Sequence, residues 1–221
     1  FFKAEDGIRD FCLSRGLGDV YKRQALSSLM KEIIFATHNK NKVEEVKAVL
    51  KEYNIRSLVD VDYHTEIDET AKTFEGNALL KAKHIYAVFK TPVFADDSGL
   101  EVAALDGAPG IYSARYAGAE KNHKKNNAKL LDALAQTTNR KAQFKTAIAY
   151  VDANTEICFE GIVRGEIATA LSGTGGFGYD PLFIPEGYSK TFGALPRAIK
   201  LKLSHRSRAI TALFDYLKSL T

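Results

Sequence analysis

Thr91–Val102, TPVFADDSGLEV, is the stretch whose reading decides the fold. An apolar run, Val93 and Phe94, gives way after Ala95 to two adjacent acids, Asp96 and Asp97. Ser98, Gly99 and a second apolar segment follow. Neighbouring like charges repel, and the cost grows with burial. A divalent cation is the usual means of offsetting it. Asp-Ser-Gly is also a favoured turn for purely local reasons, but a turn needs only one acid. If PVFA is a buried strand ending at the acids, a carboxylate projects into the crevice where α/β proteins bind ligands.

The 221 residues are 45% hydrophobic and 26% charged, which suits a soluble α/β domain with a proper core. No apolar run approaches the roughly 18 residues of a membrane span. Cys12 and Cys158 make neither a disulfide framework nor a metal spacing, so the expected compartment is a reducing cytoplasm. A net charge of +4 helps attract a polyanionic small molecule but is too diffuse for a nucleic-acid partner.

Residues 1–29 read differently from the rest. They show neither helical nor strand periodicity, and their five basic and four acidic residues nearly cancel. They lack the apolar core of a signal peptide, and their acids argue against a transit peptide. CLSRGLGDVYKRQ in particular resembles translated adapter sequence fused ahead of a reading frame. Met30, the only methionine, is expected to be the native start, with 30–221 a single domain.

From there the chain alternates. KEIIFAT (31–37) reads as a buried strand, and NKVEEVKAVLKEY (41–53) as a helix with Glu44 and Glu45 in an early turn, where the dipole favours them. SLVDV (57–61) is a short strand. TFEGNALLKAKHIYAVFK (73–90) is a second amphipathic helix, and KKNNAKLLDALAQ (124–136) a third. AQFKTAIAYV and EICFEGIVRGEIA are long strands joined by a hairpin at DANT, and LFI (182–184) is a short one. A final helix, capped by Ser204, presents Ile210, Leu213, Phe214 and Leu217. Strands alternating with helices predict α/β; the hairpin makes the sheet mixed.

Five segments bear chemistry. FATHNKNK runs a strand into a helix N-terminus, where free N–H groups, Lys40 and Lys42 could cradle phosphates, though a plain capped helix start reads equally well. IDETAKTFEGNA supplies Asp68 and Glu69, which could join Asp97 around a hard cation; Glu75 simply suits the helix dipole. SGTGGFGYDP has glycines that permit close backbone approach and a Phe177 able to stack on a base. KLKLSHR brings Lys200, His205 and Arg206 to the last helix, and a bidentate arginine can donate to the O6/N7 edge of a 6-oxopurine. His64, His84 and His123 lack partners at metal-ligand spacing.

Together these segments resemble the inosine/xanthosine triphosphate pyrophosphatase family. The resemblance runs from Met30 to the C-terminus, most specifically through ADDSGLEVAALDGAPGIYSARYAG and GTGGFGYDPLF. It implies an elongated mixed α/β fold with two lobes around a central nucleotide cleft, a homodimer, and Mg²⁺-dependent hydrolysis of dITP, ITP and XTP to the monophosphate and pyrophosphate. By motif, Asp97 is the implied proton acceptor and a metal-site acid, with Glu69 the second metal acid ahead of Asp68. The implied substrate contacts are Thr37, His38, Asn39, Lys40, Asn41, Lys42, Ser98, Phe177, Gly178, Tyr179, Asp180, Lys200, His205 and Arg206. Three positions depart from the family pattern: His38 stands for a usual glycine, Gly76 for a frequent glutamate, and GALPRAIK for an acid-rich stretch. Two other readings compete: a pyrophosphatase for modified pyrimidine nucleotides, and a nucleotide-binding regulator without catalysis.

Overall fold

The computed structural model describes residues 31–220. The tract 1–29 and Met30 lie outside the described residues. Six strands form one sheet in the order β2-β1-β3-β4-β5-β6. They are β1 (Glu32–Phe35), β2 (Asn54–Ser57), β3 (Val93–Val102), β4 (Lys141–Val151), β5 (Glu156–Ile167) and β6 (Phe183–Pro185). The first three pair in parallel and the rest antiparallel, so the sheet is mixed as the hairpin predicts. The helices are α1 (Lys40–Val49), α2 (Phe74–Phe89), α3 (His123–Ala133), α4 (Arg197–Leu203) and α5 (His205–Ser219).

The central strand differs from its expected extent. β3 does not stop at the acids; it runs on to Val102, each of its ten residues paired with β4. The continuous antiparallel ladder outweighs the local turn preference of Asp-Ser-Gly. β1 pairs only with Val93 and Phe94, and its last link is Ala36 N–H donating to the Phe94 carbonyl at 2.8 Å. From Ala95 to Gly99 β3 therefore lacks a strand partner on the β1 side, before Leu100–Val102 meet the segment 108–113.

Alternation along β3 distributes its side chains between two layers. Val93 and Ala95 pack with Ala78, Ala82 and Ile85 of α2. Phe94 faces the other way, stacked on Phe35 at 4.5 Å in a core shared with Ile210 and Leu213 of α5. Leu100 and Val102 continue that second face into a third core with Phe144, Phe183, Phe192 and Leu130 of α3. Asp96 and Ser98 lie between these two apolar cores, forming a polar belt that separates the lobes.

Local chemistry accounts for the other boundaries. The second strand lies earlier in the chain than predicted, sharing only Ser57 with 57–61, because Asp60 Oδ2 accepts from Ser57 N–H at 2.8 Å and turns the chain. α1 stops at Val49, short of Tyr53. The DANT hairpin is as predicted, closed by Asp152 N–H donating to the Thr155 carbonyl at 3.0 Å. α4 follows Pro196 within a stretch too short to show a helical period. Gly99 makes room for the 3₁₀ turn Gly110–Arg115: a Cβ there would lie 2.3 Å from the Gly110 carbonyl and 2.6 Å from Ser113 Oγ. Gly99→Ala is expected to destabilise the protein by about 1–3 kcal/mol, the range for overpacking, as measured by urea unfolding.

Candidate active site

A cleft of about 510 Å³ opens where β1 ends and β3 continues. It is large enough for a nucleotide-sized ligand. Its walls come from the β1–α1 turn, the segment before α2, the exposed length of β3, the 3₁₀ turn, the glycine loop and the α4–α5 junction.

At the β1–α1 turn, Thr37, His38, Asn39 and Lys42 line the cleft, whereas Lys40 and Asn41 are exposed outside it. The helix start is already capped: the Asn39 side chain accepts from the N–H groups of Asn41 at 3.0 Å and Lys42 at 3.3 Å. With these N–H groups capped, Lys42 is the cation that this turn presents to the cleft. His38 is tied back to the rim by Nε2 donating to the Tyr63 carbonyl at 2.7 Å.

The two acids have separate environments. Asp96 is 1% exposed, and its oxygens accept from Lys42 Nζ at 2.9 Å and Arg206 Nε at 3.0 Å. Burial alone would raise its pKa, but the charges of Lys42, Arg206 and Lys81 outweigh burial and hold it well below the usual carboxylate range. Asp97 points toward α2 instead. Its oxygens accept from Asn77 Nδ2 at 2.9 Å and Ser98 N–H at 2.8 Å. Burial pushes its pKa up and the charge of Glu69 adds to this; Lys81, Asn77 and Lys42 compensate only in part. One acid is thus a committed ion-pair partner, while the other retains a raised proton affinity facing the cleft.

Glu69 accepts from Lys81 Nζ at 2.6 Å and lies 3.6 Å from Arg115. Burial works to raise its pKa, but Lys81, Lys42 and Arg115 bring it below the ordinary glutamate value. Among the described residues no group of three or more His, Cys, Asp and Glu side chains forms a metal cage. Two carboxylates on one wall, Asp97 and Glu69, nevertheless fit Mg²⁺, which binds through one or two carboxylates and takes its other oxygens from phosphate and water. Asp68 lines the cleft as well.

The opposite end is built on ion pairs. Arg206, 2% exposed, donates to Asp96, to Ser98 Oγ at 2.9 Å through Nη2, and to Glu45 through Nη1. Lys200 bridges Glu45 at 2.8 Å and Asp180 at 2.6 Å. Asp180 Oδ2 also accepts from Phe177 N–H at 2.7 Å, so this acid closes the glycine loop. The loop is tight there: a Cβ on Gly176, at φ +73°, would lie 2.0 Å from Asp180 Oδ2. Lys200 Nζ sits 4.5 Å above the Phe177 ring. Tyr179 is buried, with its hydroxyl donating to the Ser113 carbonyl at 2.8 Å, while Asn127 Nδ2 donates to the Gly178 carbonyl at 3.1 Å. His205 stacks on Phe144 at 4.8 Å, and its buried Nδ1 has no hydrogen-bond partner among the described residues. Burial, then the Arg206 and Lys200 charges, push its pKa well down, so the imidazole is neutral.

The Ham1 family sequence profile matches residues 33–216. This chain belongs to the Ham1 family. A dITP/XTP pyrophosphatase of Flavobacterium johnsoniae is 48% identical over 187 residues, which cover 84% of this chain and 97% of that protein. The Porphyromonas gingivalis protein of the same name is 46% identical over 190 residues, 85% of this chain and 98% of that one. The Staphylococcus aureus Ham1 protein superimposes with a TM-score of 0.80 at 41% identity, covering 86% of this chain and all of its own. The nucleoside-triphosphatase/dITP/XTP pyrophosphatase of Mycobacterium abscessus gives 0.69 at 39% identity, covering 82% of this chain and 98% of its own.

Within this Ham1 fold several groups in or beside the cleft differ from what the sequence suggests. Asn77 and Lys81, four residues apart on the buried face of α2, are polar positions on an apolar stripe; that is a signal the sequence does contain. Glu45 is buried between Lys200 and Arg206 and does not act as a dipole acid. His123 also lines the cleft.

Asp96→Asn leaves Lys42 without its carboxylate partner and Arg206 with Glu45 alone, and is expected to cost about 3–5 kcal/mol at neutral pH. A depressed carboxylate pKa stabilises above the unfolded value and is lost as pH falls. The parent's advantage over the variant should therefore narrow below about pH 4, by roughly 1.4 kcal/mol per pH unit, in urea titrations of both proteins.

Proposed function

We propose that this chain hydrolyses triphosphates of 6-oxopurines (dITP, ITP and XTP) to the monophosphate and pyrophosphate. The observation that supports this most is the division of the cleft. One end groups the desolvated Asp97 with Lys42, Lys81 and Glu69; the other offers a loop aromatic and a neutral imidazole. The first suits a polyphosphate and the second a base. Relatives named dITP/XTP pyrophosphatases, matched over nearly their whole length, support the same substrate class.

In this reading Asp97 accepts the proton of the attacking water. Asn77 and the Ser98 N–H fix its orientation for that task. Asp96 has both oxygens committed to Lys42 and Arg206 and takes no part as a base. Lys42 and Lys81 lie where charge develops on the phosphoryl oxygens. Asp97 and Glu69 would hold a Mg²⁺ ion, which when bound neutralises charge on the triphosphate.

Base selection follows from polarity. Phe177, held between Lys200 and the loop, provides a stacking face. A donor from the His205–Arg206 pair aimed at a 6-oxo group is satisfied; a 6-amino group would set donor against donor and leave both unsatisfied. Arg206 is braced by Glu45, Asp96 and Ser98, so its remaining N–H groups are oriented before a base arrives. The family resemblance extends the proposal to a cytoplasmic homodimer. Among the described residues no helix is long and apolar enough to cross a membrane.

A substrate panel scored by pyrophosphate released tests the reading. With Mg²⁺, dITP and XTP should be turned over far faster than dATP, dGTP or methylated pyrimidine triphosphates; pyrimidine preference or absence of turnover would refute it. Asp97→Asn should lower kcat by about 10²–10⁴. Chelation of divalent cations should abolish turnover, and added Mg²⁺ should restore it.

A further inference from the structure

We infer that Arg115 anchors the polyphosphate chain of the ligand. This deepens the triphosphate reading and rests on it. Arg115 ends the 3₁₀ turn Gly110–Arg115, in the part of the ADDSGLEVAALDGAPGIYSARYAG segment to which neither the sequence nor the proposed mechanism gives a role.

The first argument is the platform. Ser113 Oγ accepts from Leu100 N–H of β3 at 2.8 Å and donates to the Gly110 carbonyl at 2.6 Å. Asn126 of α3 donates through Nδ2 to the Ala114 carbonyl at 2.9 Å, and its Oδ1 accepts from Ala117 N–H at 2.7 Å. Tyr179 of the glycine loop donates to the Ser113 carbonyl at 2.8 Å. Ser113, Asn126 and Tyr179 are all buried. Three separate elements thus fix the backbone that presents Arg115.

The second argument is the guanidinium itself. Arg206, the other arginine in the cleft, has donors committed to Glu45, Asp96 and Ser98. Arg115 lines the same cleft, yet its one ion pair among the described residues is Nη2 to Glu69 Oε2 at 3.6 Å, too long for a hydrogen bond. Its side chain is 38% exposed, where such a pair contributes little to stability. A rigid, buried scaffold carrying a weakly engaged cation is arranged for an anion that arrives later. The guanidinium fork matches two phosphate oxygens, which a lysine cannot do. Glu69, already paired to Lys81 through its other oxygen, does not need Arg115 to stay in place.

Calorimetric titration of inorganic tripolyphosphate into the whole protein, without divalent cations, tests this. The probe has no base, so the result is independent of purine preference. Arg115→Met should bind at least about tenfold more weakly than the parent, the loss of one charge-assisted contact, and Arg115→Lys should lie between them. Melting temperatures of all three should agree closely, as for a surface substitution. Tripolyphosphate affinity unchanged in Arg115→Met would overturn the inference, and so would a change only in the Mg²⁺ needed for half-maximal turnover. Arg115-dependent binding in a protein that spares dITP would instead remove the substrate reading and leave this one standing.

Discussion

The site depends on an unequal pairing of β3. On one side it is laddered to β4 along its whole length; on the other β1 releases it after Phe94. The ladder keeps the backbone extended through Asp96 and Asp97, so the alternation of a strand sends their carboxylates to opposite layers. The missing neighbour opens the cleft beside them. The adjacent acids that look repulsive in the sequence are relieved first by geometry and only secondarily by countercharge.

Once separated, the two carboxylates have opposite electrostatic character. Asp96 is buried against two cations and holds α1, β3 and α5 together. Asp97 is nearly as buried, but its carboxylate has the Asn77 amide and the Ser98 N–H for partners and the like charge of Glu69 nearby. The strand tolerates the second arrangement because the first is so well satisfied next to it. A buried charge without full compensation is what a reacting centre needs and what a fold alone would avoid.

Much of this was legible in the sequence where the determinants are local. The Ser204 cap of α5, the DANT hairpin and the apolar stripe of α2 each rest on residues within a few positions of one another. The gathering of Asp97, Glu69, Phe177, Lys200, His205 and Arg206 into one cleft was legible through the family resemblance. What escaped was non-local. The course of β3 is set by β4, whose residues lie some fifty positions away in the chain, as in the Asp97–Ala147 pair. The true neighbours of Glu45 are Lys200 and Arg206, which come from the far end of the chain. That Lys40 and Asn41 lie outside the cleft lining becomes visible only once the helix start is fixed.

The Glu45 bridge has an evolutionary implication. Lys200 and Arg206 meet on one carboxylate of α1, and Lys200 also fastens the glycine loop through Asp180. Replacing Lys200 would loosen the first helix and the loop together, and replacing Arg206 would loosen the first helix from β3. Substitution at that end of the cleft is therefore channelled toward His205 and the Phe144 ring beneath it, which lie outside the shared lattice of charges.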